Sequence, residues 1–224
     1  MQVALFGTSA DPPHMGHQSI LAWLARHFDR VAVWAADNPF KENQSPISDR
    51  AEMLRLLIEA LPQRSGHSGC NTVALHQSLS DRYSIHSIAR AQRVWPNAHL
   101  SLVVGADLIE QLPRWYQADE IFKQVDILVF PRPGYPVEGP ALTALQQIAT
   151  VRVAHPPNQY DISSSTYRQA RCADDPAAPT ATLPAVIRDY IIDHDLYPCL
   201  QQTPTANPIN HPVSYSRPKI SSPQ

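Results

Sequence analysis

Short runs of apolar and β-branched residues alternate along the chain with segments whose apolar residues recur at helix spacing. A short run bounded by polar or turn-forming residues predicts a strand, whereas a period of about 3.6 residues predicts a helix. The pattern predicts strands at residues 3–6, 31–35, 73–76, 100–104, 127–130 and 151–154. It predicts helices near residues 17–27, 48–61, 84–94, 115–122, 141–148, 164–170 and 184–194.

This regular alternation of strand and helix favours an α/β fold with a doubly wound parallel sheet that is covered on both faces. In such sheets, ligands bind beyond the carboxyl ends of the strands, at the point where the strand order reverses. We therefore expect functional residues in the loops that follow strands. The first of these loops comes directly after residue 6.

Composition narrows the class of protein. The chain has 224 residues and a formal net charge of -2, so it can bury one good core and offers no electrostatic case for binding nucleic acid or an anionic membrane. Its first residues predict a strand rather than a signal peptide, and no apolar run approaches the ~20 residues that span a bilayer. The three cysteines are widely spaced and odd in number, which argues against a disulfide framework. We expect a cytoplasmic protein, and a homo-oligomer is compatible with the sequence.

The end of the chain has a different composition. From residue 198 onward, prolines recur among Gln, Thr, Asn and Ser without a periodic apolar pattern. Such a segment buries too little apolar surface to offset the entropy of ordering it. We expect a folded domain at residues 1–197 and a disordered tail at residues 198–224, with a partner-binding segment as the alternative for the tail.

The loop after the first predicted strand carries the strongest chemical signal. Residues 6–17 read FGTSADPPHMGH and lead into a predicted helix. Gly7 allows a sharp turn and close approach of a ligand, Ser9 adds a hydroxyl, and His14 and His17 can lean toward one side. Because the first amides of a helix are free and its dipole is positive at that end, a phosphate chain is the favoured ligand. The alternative is a proline-rich turn whose histidines face water.

Two more loops fall at the same edge of the predicted sheet. Lys41 follows the second strand and can reach phosphate oxygens as a mobile charge, although it could equally be an ordinary surface lysine. Gly105 and Asp107 follow the fourth strand, where the glycine permits close approach and the carboxylate can accept from ribose hydroxyls or face a metal-bound phosphate. Trp115, at the predicted start of a helix, is either a core residue or a stacking surface for a heteroaromatic ring.

The third segment, residues 161–168, reads DISSSTYR. Ser163, Ser164 and Ser165 are typical of helix N-caps. Together with Arg168, one turn further on, they can also form a second phosphate clamp. Capping explains the serines without explaining the arginine, so the pattern favours the clamp.

These segments resemble motifs of the nucleotidyltransferase superfamily, whose fold is Rossmann-like. The first loop resembles the signature Gly-Gly-Thr-Phe-Asp-Pro-x-His-x-Gly-His, from which it departs at Thr8 and Ala10. Residues 162–168 are similar to the Ile-Ser-Ser-Thr-x-Ile-Arg motif of adenylyltransferases. Residues 105–107 with residues 112–116 resemble the bacterial nicotinate-mononucleotide adenylyltransferases, as do residues 81–85 and the closing residues 186–197.

The resemblance implies that the protein joins ATP and nicotinate mononucleotide to give deamido-NAD and pyrophosphate in NAD biosynthesis, with Mg²⁺ accompanying ATP. It implies that His14, His17 and Arg168 are catalytic. The residues that it assigns to ATP are Gly7, Thr8, Ser9, His14, His17, Lys41, Gly105, Asp107, Ser163, Ser164, Ser165 and Arg168. Those that it assigns to the nicotinate nucleotide are Asn38, Tyr83, Ser84, Trp115 and Tyr116, and it assigns no residue to a metal.

Several alternatives stay open on the sequence. The same enzyme could prefer nicotinamide mononucleotide, because backbone groups read a carboxylate-to-amide difference that the sequence shows poorly. A pantetheine-phosphate or cytidylyl transferase shares the first motif but does not predict Trp115 in this context. A nucleotide-sensing module without catalysis is favoured by Thr8 and Ala10, and the two histidines with Arg168 argue against it. A zinc hydrolase lacks a carboxylate-histidine cluster of suitable spacing.

Overall fold

The computed structural model describes residues 1–37, 41, 44–62, 72–156, 162–172 and 182–198. The strands of these residues are β1 (Gln2–Thr8), β2 (Arg30–Ala35), β3 (Val73–Leu75), β4 (His99–Gly105), β5 (Asp126–Phe130) and β6 (Val151–Val153). The α-helices of the same residues are α1 (Met15–His27), α2 (Ile47–Glu59), α3 (Ser84–Val94), α4 (Ala118–Gln124), α5 (Pro140–Ile148), α6 (Ser164–Cys172) and α7 (Ala185–Asp193).

The strands form one parallel sheet in the order β3-β2-β1-β4-β5-β6. The chain winds outward from β1 in one direction and then from β4 in the other, so the strand order reverses between these two central strands. A crevice opens at such a reversal because the loops after the two strands turn to opposite faces of the sheet. The loop that carries His14 and the loop that carries Asp107 therefore flank this crevice.

Alternation along β1 builds a core on each face of the sheet. Ala4 and Phe6 pack into a cluster with buried residues of α1, α2, α6 and α7. Val3 and Leu5 point to the other face and pack with residues of α3, α4 and α5. All four side chains are buried, as expected of a central parallel strand covered on both faces. The predicted doubly wound α/β fold is confirmed.

The predicted elements are confirmed except for the start of one helix. The helix expected near residues 115–122 begins at Ala118, and Trp115 instead ends a short 3₁₀ turn at Leu112–Arg114. Gln117 adopts a left-handed conformation with φ 54°, which separates the turn from α4. The apolar spacing continued across this break, and so the sequence pattern placed the helix start too early.

The described residues contain no helix that is both long and apolar enough to cross a membrane. The expected tail is outside this part of the chain from residue 199 onward.

Gly7 lies inside β1, in register with Trp34 of β2. A Cβ placed on Gly7 would come within 2.6 Å of the Trp34 indole, closer than any real Cβ contact. The structure thus gives a packing reason for this glycine, where the sequence suggested a sharp turn and close approach of a ligand.

We expect Gly7→Ala to lower the free energy of unfolding by about 1–3 kcal/mol, because an added methyl overpacks the contact with Trp34. In a Trp34→Leu background the overlapping indole atoms are gone, so the same glycine substitution should cost much less. Chemical denaturation of the four proteins of this cycle measures the coupling. Equal costs in both backgrounds would contradict the packing explanation.

Candidate active site

The two histidines of the first loop cap the helix that they begin. His14 is the N-cap of α1, and its Nδ1 accepts a hydrogen bond from the Gly16 amide at 3.1 Å. The His14 amide in turn donates to Nδ1 of His17 at 3.2 Å. The two rings lie 4.0 Å apart between centroids. This reciprocal capping box brings both imidazoles to one side of the helix start, as the spacing predicted.

The capping bonds also fix which nitrogen of each ring carries the proton. A backbone amide can only donate, so Nδ1 of His14 and Nδ1 of His17 must both be unprotonated acceptors. A neutral imidazole with an acceptor at Nδ1 carries its hydrogen on Nε2. Each histidine is therefore a hydrogen-bond donor through Nε2.

Both rings are held neutral. Burial, followed by the charge of Arg132, lowers the pKa of His14 from 6.5 to about 4. The pKa of His17 is lowered well below its usual value by burial first, and then by His14, Arg132 and Lys41. At neutral pH the two side chains are consequently uncharged hydrogen-bond donors rather than cations.

Thr8, which departs from the signature, contacts one of these histidines. Its Oγ1 lies 3.1 Å from Nε2 of His17, at the end of β1. Because Nε2 carries the hydrogen, the hydroxyl accepts from His17 in this structure. Ala10, the other departure, is buried at 1% exposure and adopts φ 43°, where a small side chain is better tolerated than a bulky one.

Cationic side chains converge on the same place. Nζ of Lys41 donates to Oγ of Ser9 at 3.1 Å, which ties this lysine to the first loop. The pKa of Lys41 is lowered, mainly by partial desolvation. The negative charge of Asp107 opposes this shift, and the positive charges of Arg168 and Arg132 add to it. The loops after β1, β2, β4 and β5 and the helix α6 thus place their charged groups close enough to act on one another.

Arg132 is a site residue that the sequence reasoning missed. Its Nη1 forms an ion pair with Oδ2 of Asp107 at 2.8 Å, and its charge depresses the pKa values of His14 and His17. It comes two residues after the end of β5, so the rule that singled out loops after strands could have found it. Gly105 makes room for the carboxylate of this ion pair, since a Cβ there would overlap Asp107.

The serine segment combines capping with docking. Oγ of Ser163 accepts from the Thr166 amide at 3.0 Å, which is the capping bond that was weighed as the alternative. Oγ of Ser164 donates to the Pro12 carbonyl at 2.9 Å, and Nη1 of Arg168 donates to the Asp11 carbonyl at 2.5 Å. The start of α6 is therefore fastened to the backbone of the first loop. Ser165, by contrast, is exposed.

Two of the residues predicted to bind the nicotinate nucleotide, Tyr83 and Tyr116, contact each other. The rings of Tyr83 and Tyr116 lie 4.6 Å apart, and Ser84 is the first residue of α3. Trp115 packs against the core cluster under α3 and α4. Asn38 lies outside the described residues. Tyr83 and Tyr116 thus lie on elements other than those that carry Lys41, Arg132 and Arg168.

An open depression of about 400 Å³ lies beside Trp115, and it is not the phosphate site. Asp119 and Glu120 contribute to its wall, so an anion would meet carboxylates there. The positive and amide groups that suit phosphate lie instead around the two histidines.

Arg50 is a further residue that the sequence did not single out. The residue is 3% exposed, and its guanidinium donates to the carbonyls of Ser9, Ala36 and Ser45. One side chain thereby joins the first loop, the end of β2 and the approach to α2. In the sequence it is only a polar position in the first turn of a helix, with no signal that it is buried.

The neutral state of His14 makes folding stability depend on pH. Because its pKa is about 4 in the folded chain and near 6.5 when unfolded, the unfolded chain binds the proton more readily between these values. Stability should therefore fall as pH drops from 6.5 toward 4, by about 3 kcal/mol for this group alone. His14→Asn keeps an N-cap acceptor but cannot titrate, so the free energy of unfolding of this variant should depend less on pH. Denaturant unfolding from pH 7 to 4.5 measures this difference, and parallel curves would contradict it.

Comparison with known proteins identifies the family. Residues 5–170 match the family model described as cytidylyltransferase-like. A probable nicotinate-nucleotide adenylyltransferase of Synechocystis sp. is 42% identical over 214 residues, which cover 88% of this chain and 99% of the relative. The nicotinate-nucleotide adenylyltransferase of Bacillus subtilis (strain 168) is 25% identical, with 88% and 98% covered.

Solved structures agree on the fold. The Plasmodium falciparum nicotinic acid mononucleotide adenylyltransferase complexed with NaAD superimposes with a TM-score of 0.75, at 16% identity and with 88% of this chain and 97% of that one covered. At this identity the likeness concerns the fold alone. Taken with the closer relatives, it confirms the resemblance that the motifs suggested. The chain therefore belongs to the cytidylyltransferase-like family and, within it, to the family of nicotinate-nucleotide adenylyltransferases.

Proposed function

We propose that this protein transfers the adenylyl group of ATP to nicotinate mononucleotide, giving deamido-NAD and pyrophosphate in NAD biosynthesis. The observation that carries the proposal is the pair of neutral histidines at the start of α1, each with its hydrogen on Nε2. Lys41 and Arg132 are close enough to add to the effect of burial on the pKa of His17, and Arg168 acts in turn on Lys41. The relatives named for this reaction support the choice of acceptor.

In the proposed reaction, an oxygen of the acceptor 5′-phosphate attacks the α-phosphorus of ATP. The new phosphorus–oxygen bond forms as the bond to the β-phosphate oxygen breaks, and pyrophosphate leaves. No covalent enzyme intermediate is needed, so the protein contributes mainly by orienting the reactants and stabilising charge.

His17 would donate its Nε2 hydrogen to the α- and β-phosphates, replacing the Thr8 hydroxyl as its partner. His14 would donate likewise to the triphosphate, along with the free amides at the start of α1. As neutral donors, these side chains can approach the phosphates in the desolvated site without the cost of burying another charge. Lys41 and Arg168 would balance the charge that develops on the leaving pyrophosphate.

Other predicted ATP-binding residues would hold the nucleotide in place. Gly105 leaves space for the Asp107 carboxylate, which would accept from the ribose hydroxyls while Arg132 keeps it oriented. Ser9 would present its hydroxyl beside Lys41. Ser163, Ser164 and Ser165 would act through the start of α6, which the Ser164 hydroxyl joins to the first loop.

The acceptor, nicotinate mononucleotide, would bind beside the aromatic side chains of Tyr83, Trp115 and Tyr116. Trp115 would stack on the pyridine ring beside Tyr83 and Tyr116. Ser84 opens α3, so its amide belongs to the unpaired first turn and would donate to the nicotinate carboxylate, together with the Tyr116 amide. Asn38 would also contact this nucleotide.

Mg²⁺ would enter with ATP. The described residues contain no group of three or more His, Cys, Asp or Glu side chains arranged to hold a metal ion. Phosphate and water rather than a protein cage would hold Mg²⁺, which would neutralise part of the triphosphate charge.

We expect kcat/KM for nicotinate mononucleotide to exceed that for nicotinamide mononucleotide by about 10²-fold or more, because backbone donors that receive a carboxylate are poorly paired by an amide. Pyrophosphate release measured with ATP and each acceptor tests this, with phosphopantetheine as a third acceptor. Equal turnover of the two pyridine nucleotides would contradict the acceptor assignment, and turnover of phosphopantetheine alone would overturn the proposed reaction.

His17→Ala should lower kcat by about 10²- to 10³-fold, the effect of losing a preorganised donor to the transition state. The KM values should change much less, because helix amides and Mg²⁺ still hold the ground-state phosphates. His27→Ala is the matched control, since His27 is exposed at the other end of the same helix. If His17→Ala turned over as fast as His27→Ala, His17 would have no part in the chemical step.

A further inference from the structure

Asp11 is a buried carboxylate that the proposed reaction does not use. It is 2% exposed and lies in the first loop, three residues before His14. The Tyr197 hydroxyl donates to its Oδ1 at 2.6 Å, and the Ser45 amide donates to its Oδ2 at 3.2 Å. Nη1 of Arg168 lies 3.9 Å from the same Oδ2. Four segments that are distant in sequence therefore meet at this carboxylate.

Tyr197 reaches Asp11 from the end of the folded chain in an unfavourable backbone conformation. Its φ is 58°, in the left-handed region that few side chains adopt. Such a conformation persists only where surrounding contacts determine it. The ring of Tyr197 packs edge-on against that of Tyr167 at 6.2 Å, and its hydroxyl forms the bond to Asp11. Tyr167 belongs to α6, the helix that also carries Arg168.

The same charge arrangement keeps the Tyr197 hydroxyl protonated. Burial and the negative charge of Asp11 raise the pKa of this phenol well above its ordinary value. The hydroxyl is thus held as a donor to Asp11.

We propose that Tyr197 is a positioning residue of the active site, whose hydroxyl fixes Asp11 and thereby holds the loop of His14 and His17 against α6. The proposal rests on the proposed function, because it assigns Tyr197 a role in that same site. Asp11 provides both ends of the connection, since its carboxylate accepts from Tyr197 while its carbonyl accepts from Arg168. The adjacent Pro12 carbonyl accepts from Ser164.

Loss of the Tyr197 hydroxyl would leave Oδ1 of Asp11 without this donor in a buried setting. A buried carboxylate that loses a donor is drawn more strongly to nearby positive charge. Arg168 supplies such a charge, since its Nη1 lies 3.9 Å from Oδ2 of Asp11 and is bonded to the Asp11 carbonyl. The expected consequence is a shift of the first loop and of Arg168 together, which misplaces groups meant for the triphosphate.

Tyr190 offers a matched control for the substitution of Tyr197. Its hydroxyl also donates to a carboxylate, Oδ1 of Asp49 at 3.0 Å. That bond joins α7 to α2 rather than to the first loop. Tyr197→Phe and Tyr190→Phe therefore each remove one tyrosine–aspartate hydrogen bond made by the C-terminal segment, and only the first touches the loop of the histidines.

The test compares these variants in the full chain, well below their melting temperatures. We expect Tyr197→Phe to lower kcat/KM for pyrophosphate release about 10-fold and to weaken calorimetric binding of α,β-methylene-ATP about 5-fold, since small misplacements of binding groups are costly. Tyr190→Phe should change either quantity less than about 2-fold, although both variants lose a comparable few degrees of melting temperature. If the two variants matched in turnover and in nucleotide affinity, the positioning role would be overturned.

A double substitution gives an independent readout. In an Asp11→Ala background, Tyr197→Phe should add less than about 2-fold to the loss of nucleotide affinity, because the acceptor of the Tyr197 hydroxyl is already absent. Full additivity would overturn the connection through Asp11. Failure of the parent to release pyrophosphate with nicotinate mononucleotide would refute the proposed function only, since affinity for the ATP analogue still tests Tyr197. A parent that did not bind the analogue would refute both.

Discussion

The site depends on the bonds that two backbone amides donate to the histidines at the start of α1. These bonds occupy Nδ1 of His14 and of His17, so the hydrogen of each neutral ring must lie on Nε2. Burial and neighbouring positive charge then keep both rings neutral. The helix thus has its cap, and a phosphate chain would find two donors of fixed direction. The same rings thus serve folding through Nδ1, which accepts from amides at the helix end, and would serve the proposed reaction through Nε2–H.

The positive side chains around the histidines are held in place by hydrogen bonds and an ion pair. Lys41, Arg132 and Arg168 would repel one another if nothing else held them. Asp107 pairs with Arg132, while Ser9 and the Asp11 carbonyl receive Lys41 and Arg168. The first loop therefore holds both Lys41 and Arg168, and the loop after β4 holds Arg132, on either side of the reversal of the strand order. A triphosphate supplies the negative charge that such a cluster favours.

Much of this could be predicted from the sequence because the signals are local. The six strands follow from short apolar runs, and the histidine loop follows from a strand, a turn and a helix in that order. The start of α4 was misplaced because apolar spacing continues through a turn that a left-handed Gln117 closes. Gly7 was recognised as special, but the reason depends on Trp34, which only strand pairing brings beside it.

By itself, the sequence determined the fold class. It also predicted the edge of the sheet for the proposed site, with the histidines, lysine and arginine of its motifs. Each of these is encoded in a few consecutive residues. Tertiary structure alone decided the contacts of Arg50, Arg132 and Tyr197, because their partners are distant in the chain and their side chains look ordinary in sequence. It also decided that His14 and His17 are neutral, since the pKa of an imidazole depends on burial and on charges that only folding brings near.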